Sequence, residues 1–116
     1  MKPIYSTSGD WVALLEHIYI YDTLGEWIAW LDGKDVFNRD GAYVGYLSDD
    51  GRVLRPRVRV RPPLRTAPQI PFKVRPPSSV PLAPMFSELP WNIVDVFEEE
   101  PEVFKFVSEQ RPDWEG

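Results

Sequence analysis

A twelve-residue segment occurs three times in the first half of the chain. Residues 4–15 read IYSTSGDWVALL, residues 20–31 read IYDTLGEWIAWL, and residues 36–47 read VFNRDGAYVGYL. The glycines of the three copies, Gly9, Gly25 and Gly41, are 16 residues apart. This period is too short for a propeller blade or a helical repeat. It suits a unit of two short β-strands joined by a turn.

Each copy contains a turn motif in which serine, aspartate or asparagine is followed three residues later by glycine. The short polar side chain accepts a hydrogen bond from the backbone two residues on, and glycine supplies the positive φ of a bulged turn. A shortened fourth copy begins near residue 46 and contains Ser48 and Gly51. The pattern predicts an antiparallel meander with strands near residues 3–6, 10–15, 18–22, 26–31, 35–38, 42–47 and 52–60.

Both faces of the predicted sheet are apolar. Strict alternation places Trp11, Ala13 and Leu15 on one face and Val12 and Leu14 on the other, and the other two copies repeat this pattern. An antiparallel sheet with one solvated face would be polar on that side. Each face must therefore be covered by barrel closure, by the C-terminal third of the chain, by a second subunit or by an apolar ligand.

The three copies, together with the sequence PMFSELPW at residues 84–91, resemble the bacterial 4-fold beta flower family. The resemblance covers essentially the whole chain. It implies an all-β fold, a shallow pseudo-fourfold barrel of antiparallel hairpins (a β-flower), with a Pro-rich extended arm and short C-terminal helices. It implies no activity and no catalytic residues. Since three clear copies and one degenerate copy are present, we expect the fourfold arrangement to lie within one chain.

The charge divides the chain into three parts. Residues 1–51 carry 3 basic and 9 acidic side chains, residues 52–85 carry 8 basic and no acidic ones, and residues 86–116 carry 2 and 9. Nine of the 13 prolines lie in the middle part. These shifts predict a repeat β-domain over residues 1–60, a Pro- and Arg-rich arm over residues 61–85, and an acidic helical tail over residues 86–116 that packs on the β-domain or on a partner.

Two short helices are predicted in the tail. The first is capped by Ser87 or Leu89 with Pro90 in its first turn, and it ends at the three glutamates before Pro101. Its apolar stripe is formed by Trp91, Val94 and Phe97. The second helix opens at Pro101, and its apolar side chains are Val103, Phe104, Phe106 and Val107.

Two equivalent positions of the repeat are aromatic in all three copies. Aromatic side chains are common in cores, so packing is the simplest role. If the units close around an axis, these side chains line one apolar surface or channel. We therefore predict a non-catalytic binding or scaffold module that holds an apolar small molecule or forms a homo-oligomer. Its candidate ligand-binding residues are Tyr5, Trp11, Tyr21, Trp27, Phe37 and Tyr43.

Alternating arginines give a second candidate site, formed by Arg55, Arg57, Arg59 and Arg61. Such a basic face could bind nucleic acid or another anionic surface. The chain has a formal net charge of −5 and no base-reading motif, which makes nucleic acid the weaker alternative. The basic arm could equally lie against the acidic parts of its own chain.

Several classes of chemistry are disfavoured. The chain has no cysteine and one histidine, His17, which argues against thiolate metal sites, cysteine nucleophiles and most catalytic triads. The acidic pairs and runs, at residues 49–50 and 98–100, lack EF-hand spacing. We expect no enzyme activity, no cofactor and no metal site. No apolar stretch resembles a signal peptide or a transmembrane helix, so we expect a cytoplasmic protein.

Overall fold

A computed structural model describes residues 1–58 and 62–104 of the chain. Eight strands form one antiparallel sheet in which every strand pairs with its neighbours in sequence. A short helix, α1 (Val96–Glu99), and a 3₁₀ helix (Pro101–Phe104) follow the last strand. The strands are β1 (Lys2–Tyr5), β2 (Trp11–Glu16), β3 (Tyr19–Tyr21), β4 (Trp27–Asp32), β5 (Asp35–Asn38), β6 (Tyr43–Leu47), β7 (Val53–Pro56) and β8 (Ile93–Asp95). This curled sheet confirms the predicted all-β fold class.

Glycine has the predicted positive φ in all four turns, at 87–96°. In each, the glycine N–H donates to the carbonyl oxygen of the polar residue three positions earlier, at 2.9–3.1 Å. The Asp22 carboxylate accepts from the N–H groups of Leu24 and Glu26, and Asn38 does the same in the third copy. The fourth turn, at residues 48–51, joins β6 to β7, so β6 belongs to two successive hairpins.

A β-bulge in each copy corrects the predicted assignment of the faces. Ile4 pairs with Ala13 and Tyr5 pairs with Trp11, so Val12 is an extra residue opposite the step between them. The same shift occurs in the second and third copies. A bulge places two successive residues on one face. Trp11 therefore packs with the cluster of Leu14, and Val12 packs with the cluster of Ala13, the reverse of strict alternation.

One face of the sheet is covered by the end of the chain. This helix-covered face contains Ile4, Ala13, Ile20, Ala29, Val36, Val44 and Val53, all buried. Val96 of α1 and Phe104 of the 3₁₀ helix pack against it, and Phe97 stacks on Phe104 with ring centroids 4.4 Å apart. Short side chains in the sheet let these elements approach closely. A Cβ built on Gly45 would lie 3.2 Å from the Val96 side chain.

The opposite face is covered by the arm, as defined above (residues 61–85). This arm-covered face contains Leu14, Tyr21, Trp27, Trp30 and Phe37, with Ala67 and Val74 of the arm packed on it. Residues 62–92 form no helix or strand, as expected from their prolines.

The arm passes the glycine turns in reverse order. The Arg65 N–H donates to the Gly41 carbonyl at 2.9 Å, and the Val74 N–H donates to the Gly25 carbonyl at 3.1 Å. Ala83 lies beside Gly9. These contacts fall nine residues apart along the arm. The described part of the arm thus follows the 16-residue repeat of the sheet with a nine-residue spacing of its own contacts.

The end of the sheet is tied back to its beginning by side chains. Asp95, only 2% exposed, accepts hydrogen bonds from the backbone N–H and the hydroxyl of Thr7 at 2.7 and 2.6 Å. The Tyr5 N–H donates to the Gly51 carbonyl at 3.1 Å. These bonds join the first turn to the fourth turn and to β8, so the hairpins form one curled body within one chain.

The tail differs from the prediction at its start. The segment predicted as the first helix contains β8, and α1 begins only after Asp95, whose side chain caps it by accepting from the N–H groups of Phe97 and Glu98. Trp91 is 83% exposed and does not belong to an apolar helix face. Residues 93–95 pair with β7 instead, which overrides the helical spacing. The predicted helix at Pro101 is present, while Phe106 and Val107 lie outside the described residues.

Candidate functional site

The structure brings most of the predicted aromatic site together. Tyr21, Trp27 and Phe37 belong to one buried cluster of the arm-covered face, and Trp11 and Tyr43 pack against it. Tyr5 is also buried, and its hydroxyl donates to the Pro81 carbonyl of the arm.

Two of these aromatic residues stabilise the bulges. The Trp11 indole N–H donates to the Ala13 carbonyl at 2.8 Å, and the Trp27 indole N–H donates to the Ala29 carbonyl at 2.7 Å. Each bond spans the bulge, and the bond of the buried Trp27 satisfies a donor that has no access to water. Tyr43 occupies the equivalent position of the third copy and has no indole, so its hairpin lacks this bond.

A groove runs along the β5–β6 hairpin, with a volume of about 850 Å³. One wall is formed by Phe37, Tyr43 and Val44 of the hairpin. Another is formed by Val58, which precedes the arm, and by Leu64 of the arm. The 3₁₀ helix contributes Glu102 and Val103. Two predicted ligand-binding residues, the buried Phe37 and the half-buried Tyr43, therefore line the groove, and the other four do not.

The charged groups of the groove are mostly carboxylates. Asp35, Asp40, Glu100 and Glu102 line it, against the guanidinium groups of Arg55 and Arg65. Arg55 is paired with Glu100, and their side chains are 14% and 15% exposed. Burial and the neighbouring Asp35 carboxylate raise the pKa of Tyr43, so its hydroxyl stays protonated at neutral pH.

A guanidinium from the arm lies on the aromatic rings beside the groove. Arg65 is 4.9 Å from the ring centroid of Phe37 and 5.7 Å from that of Trp30, within cation–π range. It also pairs with Asp32 at 2.7 Å. This end of the arm-covered face thus holds a cation between π-faces and a carboxylate.

The comparison with known protein families is decisive for the fold. The model of the 4-fold beta flower protein family matches residues 2–93, from β1 through the arm to the first residue of β8. The chain belongs to the 4-fold beta flower family. No curated protein and no solved structure matches this beta flower. Because the match includes the arm, the covering of the aromatic face is part of the matched family region.

The groove lies where the third copy of this beta flower departs from the other two. Ala42 stands where the first two copies have Asp10 and Glu26, and tyrosine replaces tryptophan at position 43. In the second copy Glu26 pairs with Lys73 of the arm at 3.2 Å. Alanine can make no such bond. These departures are the sequence signal that would have located the groove.

The alternating arginines of the flower make intramolecular contacts where they are described. Arg55 pairs with Glu100 and donates to the carbonyl oxygens of Pro56 and Arg57. The Arg57 guanidinium donates to the Trp91 carbonyl at 2.7 Å. Arg59 and Arg61 lie outside the described residues. Anionic-surface binding through these arginines stays a prediction.

The other candidate groups lie in exposed turns. His17 occupies the β2–β3 turn with a φ of 61° and an exposed side chain. Asp49 pairs with Lys34 at 2.8 Å, and Asp50 with Arg52 at 2.7 Å. Within residues 1–58 and 62–104 no three His, Cys, Asp or Glu side chains are arranged to hold a metal ion. No helix in the same ranges is long and apolar enough to cross a membrane.

Proposed function

We propose that this beta flower is a non-catalytic binding module whose groove accepts the apolar part of a ligand or partner. The observation that carries the proposal is the position of Phe37 and Tyr43. They occupy the two repeated aromatic positions in the third copy, and they line the groove of about 850 Å³. The equivalent residues of the other two copies do not line this groove.

The composition of the groove supports binding. Sites for small ligands are mostly apolar clefts of roughly 300–1,000 Å³ with a few polar groups that fix orientation. Tyr43 presents its ring and a protonated hydroxyl, and Asn38 and the carboxylates supply the polar groups.

The residue types of the site support the non-catalytic part of this proposal. The described groove lining contains no histidine, cysteine, serine, threonine or lysine that could act as nucleophile or base beside the carboxylates. Its most buried carboxylate, Glu100, is paired with Arg55 at 2.6 Å. His17 lies in an exposed turn and does not line the groove.

The test uses Nile red, a neutral apolar dye whose fluorescence rises in apolar surroundings. Ala42→Phe fills the groove, and the turn accepts a large side chain there because the second copy carries Glu26 at the same position. Asp10→Phe, at the equivalent exposed position of the first copy, is the matched control. We expect saturable binding with one dye per chain, weakened at least about tenfold by Ala42→Phe and less than about twofold by Asp10→Phe.

Urea unfolding first establishes that both variants fold. The proposal is overturned if the wild-type chain shows no saturable binding. It is also overturned if folded Ala42→Phe binds as well as the wild type, or if Asp10→Phe loses as much as Ala42→Phe.

A further inference from the structure

The charge of the groove restricts its occupant. Among the described residues that line it, four carboxylates face two guanidinium groups, and both guanidinium groups are already paired with carboxylates, Arg55 with Glu100 and Arg65 with Asp32. Because Glu100 is paired with Arg55, the exposed carboxylates Asp35 and Asp40 give the described lining its acidic part. A cationic occupant complements it.

The chain itself shows how this face holds an extended basic segment. At the third turn, the Arg65 N–H donates to the Gly41 carbonyl while its guanidinium pairs with Asp32. At the second turn, the Val74 N–H donates to the Gly25 carbonyl while the adjacent Lys73 pairs with Glu26. In both places a backbone hydrogen bond and an ion pair act together on a chain without regular structure.

The groove offers the same elements next to the contact of Arg65 at the third turn. Phe37 and Tyr43 meet edge to face with centroids 6.0 Å apart, and both line the groove. Asp35 and Asp40 are exposed carboxylates along the same hairpin. Aromatic rings beside carboxylates bind ammonium and guanidinium groups through cation–π and charge interactions.

Resting on the proposed function, we propose that the groove binds an extended peptide segment that carries lysine or arginine side chains. The apolar walls take the stems of these side chains and any proline rings between them. The carboxylates of Asp35 and Asp40 take the charged ends.

The experiment is isothermal titration calorimetry of the full chain with two octapeptides. One alternates proline and arginine, and in the other glutamine replaces every arginine. At low salt we expect the basic peptide to bind at least about tenfold more tightly than the neutral one. Raising the salt from about 50 to 300 mM should weaken only the basic peptide.

Two double variants with the same change in net charge locate the effect. Asp35→Asn with Asp40→Asn should weaken the basic peptide about fivefold, because two exposed carboxylates each contribute modestly. Asp10→Asn with Glu16→Gln neutralises two carboxylates outside the groove and should change binding less than twofold. Ala42→Phe should abolish binding.

The outcomes separate this inference from the proposed function. Equal binding of the two peptides, or binding of Nile red but of neither peptide, overturns the basic-peptide inference and leaves the binding module standing. An equal loss in both double variants also overturns it, because total charge would then be the cause. If neither the dye nor a peptide binds, both proposals fall.

Discussion

Alanine at Gly25 or Gly41 is expected to destabilise the protein more than alanine at Gly9, although the three glycines have nearly the same backbone conformation. Their φ angles are 87°, 87° and 96°. A side chain at positive φ costs about 1–2 kcal/mol in each case. The positions differ in what a Cβ atom would meet.

At Gly25 the added Cβ would overlap the Val74 carbonyl oxygen and lie 3.1 Å from its carbon, and at Gly41 it would overlap the Arg65 carbonyl oxygen and lie 2.8 Å from its carbon. The arm must move away, which breaks a backbone hydrogen bond of about 1 kcal/mol. At Gly25 it also removes Val74 from the aromatic cluster, a further ~1 kcal/mol for a partly buried side chain. At Gly9 the nearest atom is the Ala83 Cβ at 3.8 Å, an ordinary contact.

We therefore expect Gly25→Ala to cost about 3–4 kcal/mol, Gly41→Ala slightly less, and Gly9→Ala about 1–2 kcal/mol. Urea unfolding followed by tryptophan fluorescence measures these differences. Limited trypsin digestion localises them, since cleavage after Lys73 should accelerate in Gly25→Ala and cleavage after Arg65 in Gly41→Ala. Equal destabilisation at Gly9 and Gly25, or unchanged digestion of the arm, would refute the role given to the arm contacts.

Three other predictions concern polar and charged groups. Asp95→Ala removes the acceptor of four hydrogen bonds, and it should lower the free energy of unfolding by about 3 kcal/mol in urea titrations, with partial recovery in Asp95→Asn. Glu100→Gln leaves the largely buried Arg55 guanidinium without its charged partner and should lower the free energy of unfolding by about 2 kcal/mol. The double variant Arg55→Met with Glu100→Leu removes both charges and should lower it by less. A larger loss in the double variant would contradict this. Hydrogen bonding from Arg52 lowers the pKa of Asp50 below its usual 3.8, so the pair stabilises the fold above about pH 4 and the effect is lost as the pH falls below the lowered pKa. Asp50→Asn should flatten the acid limb of thermal stability measured against pH, and an unchanged limb would contradict the assignment.

The repeat was sufficient to predict the turns and the order of the strands. A polar residue followed by glycine three positions later makes a local turn, and hairpins joined by such turns pair in sequence order. The assignment of residues to the two faces was harder to predict, because a bulge moves side chains to the other face without any change in residue type. The aromatic position that begins β2 therefore appeared on the face opposite to the one it occupies. The indole bond from Trp11 to the Ala13 carbonyl, which spans the bulge, is visible only in the structure.

The path of the arm and the location of the groove could not be derived from the prolines. Proline excludes regular pairing but does not say what an extended segment lies against. The contacts of Arg65 and Val74 are made by backbone atoms at glycine turns, so no pattern of side chains in the sequence predicts them. The prediction of a helix for the segment before α1 was wrong, because Ile93 and Val94 pair with β7, which lies more than thirty residues earlier in the chain.

The bonds between Asp95 and Thr7 join residues 88 positions apart, whereas all strand pairs up to β7 are formed by neighbours in sequence. Local pairs form quickly and distant ones slowly, because loop closure must precede the contact. The hairpins can therefore assemble as soon as they leave the ribosome. The bonds between Thr7 and Asp95 must wait until residue 95 has been synthesised. During that interval the helix-covered face is open, because α1 and the 3₁₀ helix follow Asp95 in the chain, and a chaperone or a second nascent chain would find this face accessible.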